Sequence, residues 1–427
     1  MKLININILC FLLLCACQPS RYDSADSVSS LVFERIQQAD DEACNALSLP
    51  LNAQSTVQVA LAYNANVRYS IAELSIADAD LMAAGTIENP VFAFFYGFPV
   101  GHNAKNSLDF SIIESLISLC LRQTLVDAAS ANLESAKWKA SHEILNTAFD
   151  AESLFYQLKA QELLSGFLQG RCESADSIRQ MEEERFTEGG VLPGELVATK
   201  MKCGLEKEEW LLARAQEAMI RKSFETTLGI SCGYLLDDQL PFPDDEACPA
   251  NFDALIMDAR ADVQALRWKL ESLRRAAPAN CWWVKSAAAI GFSFQQDSDG
   301  DITMGPNISG EIPIFDHGQA DCLRWNAAYL QTREELIALE QSIIAELKAN
   351  KELLHLNKMR AELYKEELLP MQTRLAEMAK DAYDVRAIDK KEFIEAQSEL
   401  LDLKAKYIAA VRDYWMAKIE LKRSLLQ

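Results

Sequence analysis

Few residues of this chain have the type and spacing to do chemistry. Met1-Lys2 is followed by an apolar run from Leu3 to Ala16 that contains Leu14-Cys15-Ala16 and ends at Cys17, the form of a lipoprotein cleavage box. The Cys17 thiol is then the reactive group. As first residue of the mature chain it takes a thioether-linked diacylglycerol, its amine takes an acyl chain such as palmitate, and several acyl chains anchor a protein firmly. Asp297-x-Asp299-x-Asp301 begins like a calcium loop, but the glycine after the third Asp and the distal Glu are missing, which leaves a solvated hairpin turn. Beyond Cys17 stand Cys44, Cys120, Cys172, Cys203, Cys232, Cys248, Cys281 and Cys322, none in a Cys-x-x-Cys pair. His102, His142, His317 and His355 are equally scattered, so no metal site and no cofactor other than the covalent lipid is expected. Pairing of Cys172 with Cys203, or of Cys232 with Cys248, stays open in an exported chain. With no Gly-x-Ser-x-Gly, phosphate loop or His-Glu-x-x-His, the chain does not read as an enzyme.

The elements that would position any site are two hairpins and two very long helical patterns. Ile290, Phe292 and Phe294 alternate with Gly291, Ser293 and Gln295, and Ile302, Met304, Ile308, Ile312 and Ile314 continue the apolar face after the turn. An earlier pair of strands runs from Asn89 to Pro99 and from Ser107 to Ile117. Each hairpin leads almost directly into a helix, about 73 residues from Leu116 to Gly189 and about 70 from Asp316 to Arg386, or roughly 110 and 105 Å at 1.5 Å per residue. A compact globule of this length has a radius of gyration near 22 Å, so the helices form a long cylinder. Return segments of about 40 residues, Val191 to Gly229 and Ile388 to Gln427, reach roughly 60 Å. Thr56 to Ala84 and Phe252 to Ala277 supply the missing length.

The chain is a duplication. Phe186-Thr187-Glu188-Gly189 and Glu195-Leu196 match Tyr383-Asp384-Val385-Arg386 and Glu392-Phe393 at a constant offset of 197 residues. Acidic residues outnumber basic ones by 63 to 42, a formal charge of -21. That disfavours nucleic acid and anionic lipid surfaces, and fits a solvated acidic surface or an acid-lined cavity that favours cations. After the leader no apolar run reaches the roughly 18 residues of a membrane-spanning helix, so a further membrane crossing must be made by strands.

Taken in order, these residues resemble the TolC-like family of outer-membrane efflux factors, in its lipid-anchored branch. The matches are Glu88-Asn89-Pro90, Arg260-Ala261-Asp262-Val263, Ile312-Pro313-Ile314-Phe315-Asp316-His317-Gly318, Leu368-Leu369-Pro370, the turn Phe186-x-x-Gly189 and the block Glu392 to Leu400. The resemblance covers about Val57 to Leu426. It implies a mainly α fold with a small β part: a long α-helical barrel continued by a transmembrane β-barrel, four strands per protomer, formed as a homotrimer. The expected organisation is a signal peptide over 1–16, a lipidated tether over 17–51, and a first efflux repeat over 52–231 with strands near 89–117 and a tip near 189. An equatorial loop over 232–251 and a second repeat over 252–427, with strands near 283–315 and a tip near 386, complete it.

Implied too is passive conduction of small toxic solutes, drugs or metal cations, from an inner-membrane pump and a periplasmic adaptor to the exterior. The alternatives are the duct of a type I protein or peptide secretion system and a lipid-anchored periplasmic scaffold. By the same resemblance Glu392 and Glu395, three apart on one helix face, line a periplasmic gate in which three copies of each bring like charges together and favour cations. Glu195 and Tyr383 occupy two latch positions. The third, usually basic, is Ile388, and Arg386 stands where the family has a tip glycine. Gly189, Gly190 and Arg386 mark the tips where the adaptor docks. A further departure is Leu119-Cys120-Leu121-Arg122, where the family bends its first strand into helix with a glycine.

Overall fold

The computed structural model describes residues 50–98, 106–230, 234–237, 240–242, 259–280, 289–297, 299–310, 314–315 and 317–426. The leader, Cys17, most of the tether and most of the loop over 232–251 lie outside them, as do Ile312, Pro313 and Asp316.

The expected first helix is two. α1 (Ala53–Tyr63) ends and α2 (Ala65–Gly85) begins at Asn64, whose side-chain oxygen accepts from the N–H groups of Asn66 and Val67. Its amide donates to Thr227 O at 2.7 Å, so the break is also fastened to another helix. β1 (Val91–Gly97) and β2 (Ser107–Ser115) follow, and β2 passes straight into the 72-residue α3 (Leu116–Thr187) without a glycine. α3 turns into α4 (Pro193–Leu228), which opens on Pro193 in its first turn, where a missing N–H costs nothing. α5 (Ala261–Asn280), β3 (Ala289–Gln296) and β4 (Ile302–Ser309) repeat the pattern. β4 stops at Ser309, short of the expected Ile314, which lies in a bend.

The second ascent is α6 (Gln319–Leu363), a π turn (Tyr364–Leu368) and α7 (Leu369–Asp384), before α8 (Lys390–Leu426) returns. The π turn has a local cause. Pro370 has no N–H and its ring crowds the carbonyl four residues back, and widening the preceding turn, with Leu369 N–H bonded to Tyr364 O, relieves that crowding. Lys365 Nζ lies 3.2 Å from the centroid of the Phe242 ring at the same height.

The helices lie side by side as one wall. α3 runs through its middle, flanked by α2 and α5 in one half and by α4 and α8 in the other; α5 then packs on α6, and α8 on α6 and α7. The main core sits where these halves meet, around Val59, Phe155, Leu158, Phe224, Trp415 and Ile419. Tyr156 and Trp415 stack there at 4.5 Å, with Trp415 Nε1 donating to Pro241 O. Leu51, at the end of the expected tether, is fully buried and pairs its backbone with Leu235 O and Asp237 N, so the body begins there. α4 ends at Gly229 in the left-handed conformation (φ 72°), and a Cβ there would come within 2.5 Å of Tyr63 O. Arg260 is buried at the foot of α5, forked onto the Asp262 carboxylate and donating to the Ser424 carbonyl of α8. Cys120, Cys172 and Cys203 are free, so the Cys172–Cys203 pairing is not formed, and burial pushes the Cys172 thiol up.

Candidate functional site

The four strands form one antiparallel sheet in the order β1-β2-β3-β4, and among the described residues β1 and β4 are open edges. Register sorts the side chains by face. Phe92, Ile112, Phe292 and Pro306 fall in one row, and Phe94, Phe110, Phe294 and Met304 in the row two residues on. Between them on the other face lie Ala93, Ser111, Ser293 and Gly305. Phe110 stacks on Phe294 at 5.1 Å and meets Phe92 at 6.4 Å. No described helix covers this aromatic band: Phe92, Phe94 and Met304 are each about 60% exposed. Pro306 sits on edge strand β4, where its missing N–H breaks no central ladder. No described helix is long and apolar enough to cross a membrane.

At the far end of the wall the two tips are built alike. Gly189 N–H bonds to Phe186 O at 3.0 Å and Gly190 N–H to Arg185 O at 2.8 Å; Arg386 bonds to Tyr383 O at 2.9 Å and Ala387 to Ala382 O at 2.7 Å. All four bonds keep the offset of 197 residues found in the sequence. Gly189 has φ 78° and Arg386 φ 63°, so a side-chain-bearing residue holds the left-handed position that a glycine holds in the first repeat.

The expected gate residues divide. Tyr383 lies flat on Phe393 at 5.1 Å within its own hairpin, and Glu195 is exposed in the first turn of α4, with no bond from it to Tyr383 or Arg386 within the protomer. Glu392 is exposed in the first turn of α8. Glu395, one turn on, faces a cavity of about 350 Å³ between α3, α4 and α8, 3.8 Å from Lys202.

That cavity also holds a residue not singled out in the sequence. Arg171 of α3, with 15% of its side chain exposed, binds Glu206 at 2.8 Å and Glu209 at 3.2 Å on α4, and Asp402 at 3.0 Å on α8. Nearer the tip, Lys391 Nζ of α8 donates to Glu182 of α3 at 2.9 Å; this bond to a carboxylate that is 5% exposed holds the Lys391 pKa above its ordinary value. These two ties join the second hairpin to the first. Lys202 to Glu395 is a longer, more exposed one, and away from the tip Lys422 and Arg423 of α8 reach Glu152 and Asp150 of α3.

With this geometry in view, no protein-family model and no curated protein sequence matches the chain. Solved structures do. The Campylobacter jejuni CmeC outer membrane channel superposes with a TM-score of 0.73 at 12% identity, covering 87% of this chain and 85% of that one. CusC, solved as a protein that folds and forms a transmembrane channel, gives 0.68 at 13%, covering 88% and 92%. The open state of the Neisseria gonorrhoeae MtrE outer membrane channel gives 0.62 at 13%, covering 87% and 88%. The chain therefore has the fold of these channels: mainly α, with long helical hairpins that continue a four-stranded antiparallel sheet.

Proposed function

We propose that three copies of this chain close into one twelve-stranded barrel in the outer membrane, continued by a helical tunnel that passively conducts small toxic solutes, drugs or metal cations, received from a periplasmic adaptor and an inner-membrane pump. The observation that carries the reading is the sheet. Two unpaired edges and an uncovered aromatic face cannot persist in water, whereas in lipid a closed barrel satisfies every strand and turns that face outward. The helices support it. The wall's free edges are α2 and α4 on one side and α6 and α7 on the other. Both carry apolar stripes: Val197, Met201, Leu205, Leu212 and Met219 on α4, and Leu356, Met359, Leu363, Met371 and Met378 on α6 and α7. Such stripes bury each other when copies pack edge to edge. The copy number of three comes from the resemblance, as do efflux, the lipid on Cys17, and adaptor docking at Gly189, Gly190 and Arg386.

In this reading Glu392 and Glu395 ring the periplasmic end of the tunnel. The test is single-channel conductance of detergent-purified protein in planar bilayers, wild type against Glu392→Ala/Glu395→Ala. Discrete cation-preferring steps that widen or lose selectivity in the double variant are expected. A monomeric protein that gives no conductance even as the variant sinks the channel and leaves a lipid-anchored scaffold.

A further inference from the structure

A cavity of about 640 Å³ opens in the half of the wall nearer the sheet, and its lining comes from four consecutive helices, α2, α3, α5 and α6. Helices laid flat at 8 to 10 Å spacing would keep α2 and α6 roughly 25 to 30 Å apart. One cavity can touch all four only on the side toward which the wall curves, so this is the concave face.

Its floor is apolar, formed by Ile76, Ala136, Ala265, Leu266 and Leu339. The rim is charged, and the charges do not cancel. Glu73 is engaged by Lys139 at 3.3 Å and Asp262 by Arg260 at 2.6 Å. Lys269 donates to the neutral Asn132 side chain at 3.0 Å. Asp80, Glu143 and Glu335 line the same cavity from α2, α3 and α6, and their carboxylates make no hydrogen bond or ion pair among the described residues. Three uncommitted carboxylates therefore face Lys269 across an apolar floor, with the His142 ring, bonded to the Asn146 side chain, on the same lining. The volume suits a drug-sized molecule.

We infer that this cavity is a binding site for bulky amphiphilic organic cations, the apolar body resting on the floor and the positive centre held among Asp80, Glu143 and Glu335. Its placement on the tunnel lumen rests on the channel reading above; the binding itself does not, since it needs only the folded chain. The apolar area supplies affinity and the carboxylates select charge, so neither a small cation nor a neutral molecule of the same bulk satisfies the site. On the concave face it would retain such solutes beyond the tips, raising their local concentration on the exit side.

The test is equilibrium dialysis of tetraphenylphosphonium against full-length protein in detergent, read as the difference between wild type and variant at equal detergent. Asp80→Asn/Glu143→Gln/Glu335→Gln should lower affinity at least tenfold, and Ala136→Leu, which fills the floor, should do the same for a different reason. Tetramethylammonium and neutral triphenylphosphine oxide should each bind at least tenfold more weakly than tetraphenylphosphonium. Glu173→Gln, exposed on α3 and outside the cavity lining, should leave affinity within twofold. Equal binding of either control compound, or unchanged affinity in the isosteric triple variant, overturns the site. A protein that binds in this pattern yet never conducts overturns the channel and leaves the site standing.

Discussion

The two ascents climb to the same kind of tip by different backbones. α3 is unbroken over 72 residues, whereas the second ascent is cut by the π turn at Tyr364–Leu368 and by Pro370. Position in the wall accounts for the difference. α3 has neighbours on both flanks along its length, so a kink there would misalign four helices at once; α6 and α7 form an edge and disturb only α5 and α8. Exchanging residues at the shared offset breaks or confirms this. Glu173 is exposed on α3 at the position matching Pro370. Glu173→Pro loses a backbone bond with no π turn to absorb the ring, and should cost about 3 kcal/mol or more. Pro370→Glu should cost under about 1 kcal/mol, because the widened turn only loses its reason. Thermal unfolding of the two purified variants checks it; equal losses would refute the centre-against-edge account.

A second contrast lies between bonds inside a hairpin and bonds that tie the hairpins together. Lys391→Met leaves Glu182, 5% exposed, with only Arg185 at 3.8 Å. That should destabilise by about 2 kcal/mol, below the full cost of breaking a buried pair because Lys391 is itself 39% exposed. Lys406→Met removes a partner of Asp402 that is 57% exposed and leaves Arg171 in place, so it should cost under about 1 kcal/mol. Denaturant melts of both variants measure the gap, and no gap would mean the inter-hairpin tie carries no special weight.

The sequence made the fold legible where periodicity and length speak for themselves. Alternation around Phe292 and Phe294 foretold a sheet with one apolar face, and the matched turns at Gly189 and Arg386 appear in the backbone with the same bonds. What stayed hidden is tertiary. The break at Asn64 depends on a carbonyl 163 residues away, so Thr56 to Ala84 read as one helix. Arg171–Asp402 and Lys391–Glu182 join residues 231 and 209 apart, and no local spacing announces such pairs. Glu392 and Glu395, expected on one face by their spacing of three, part company: Glu392 is exposed while Glu395 lines a cavity with Lys202, because α8 packs on α3 and only the second of the two carboxylates faces the space between α3, α4 and α8.

Between the tips themselves the expected effect is smaller. A residue with a Cβ pays roughly 1 kcal/mol for the left-handed conformation. Arg386→Gly should therefore stabilise the second hairpin by up to about that much, and Gly189→Arg should destabilise the first by a similar amount. Denaturation midpoints decide it. If Arg386→Gly destabilises, its guanidinium has a partner in the assembled protein that outweighs the strain.

Acid should separate the tips by the smallest margin. The first is braced by Arg179, bonded to Asp176 and Glu183, and by Lys200, bonded to Glu183. The Arg179 bond holds the Asp176 carboxyl below its ordinary value, and the Lys200 bond does the same for Glu183. A carboxyl depressed in the folded state contributes stability that is present above its unfolded pKa, near 4, and is lost as pH falls through the folded value. Among the described residues no such bracing pair spans α7 and α8 at the second tip, whose tie to α3 uses Lys391. The Lys391 pKa is raised, so its contribution is present at pH below about 10.4 and is lost on the alkaline side. Hydrogen exchange at pH 7 and pH 3, corrected for intrinsic rates, should show protection falling at 176–200 more than at 376–395. Parallel loss at both tips would mean that the ion pairs of the first are too exposed to hold it.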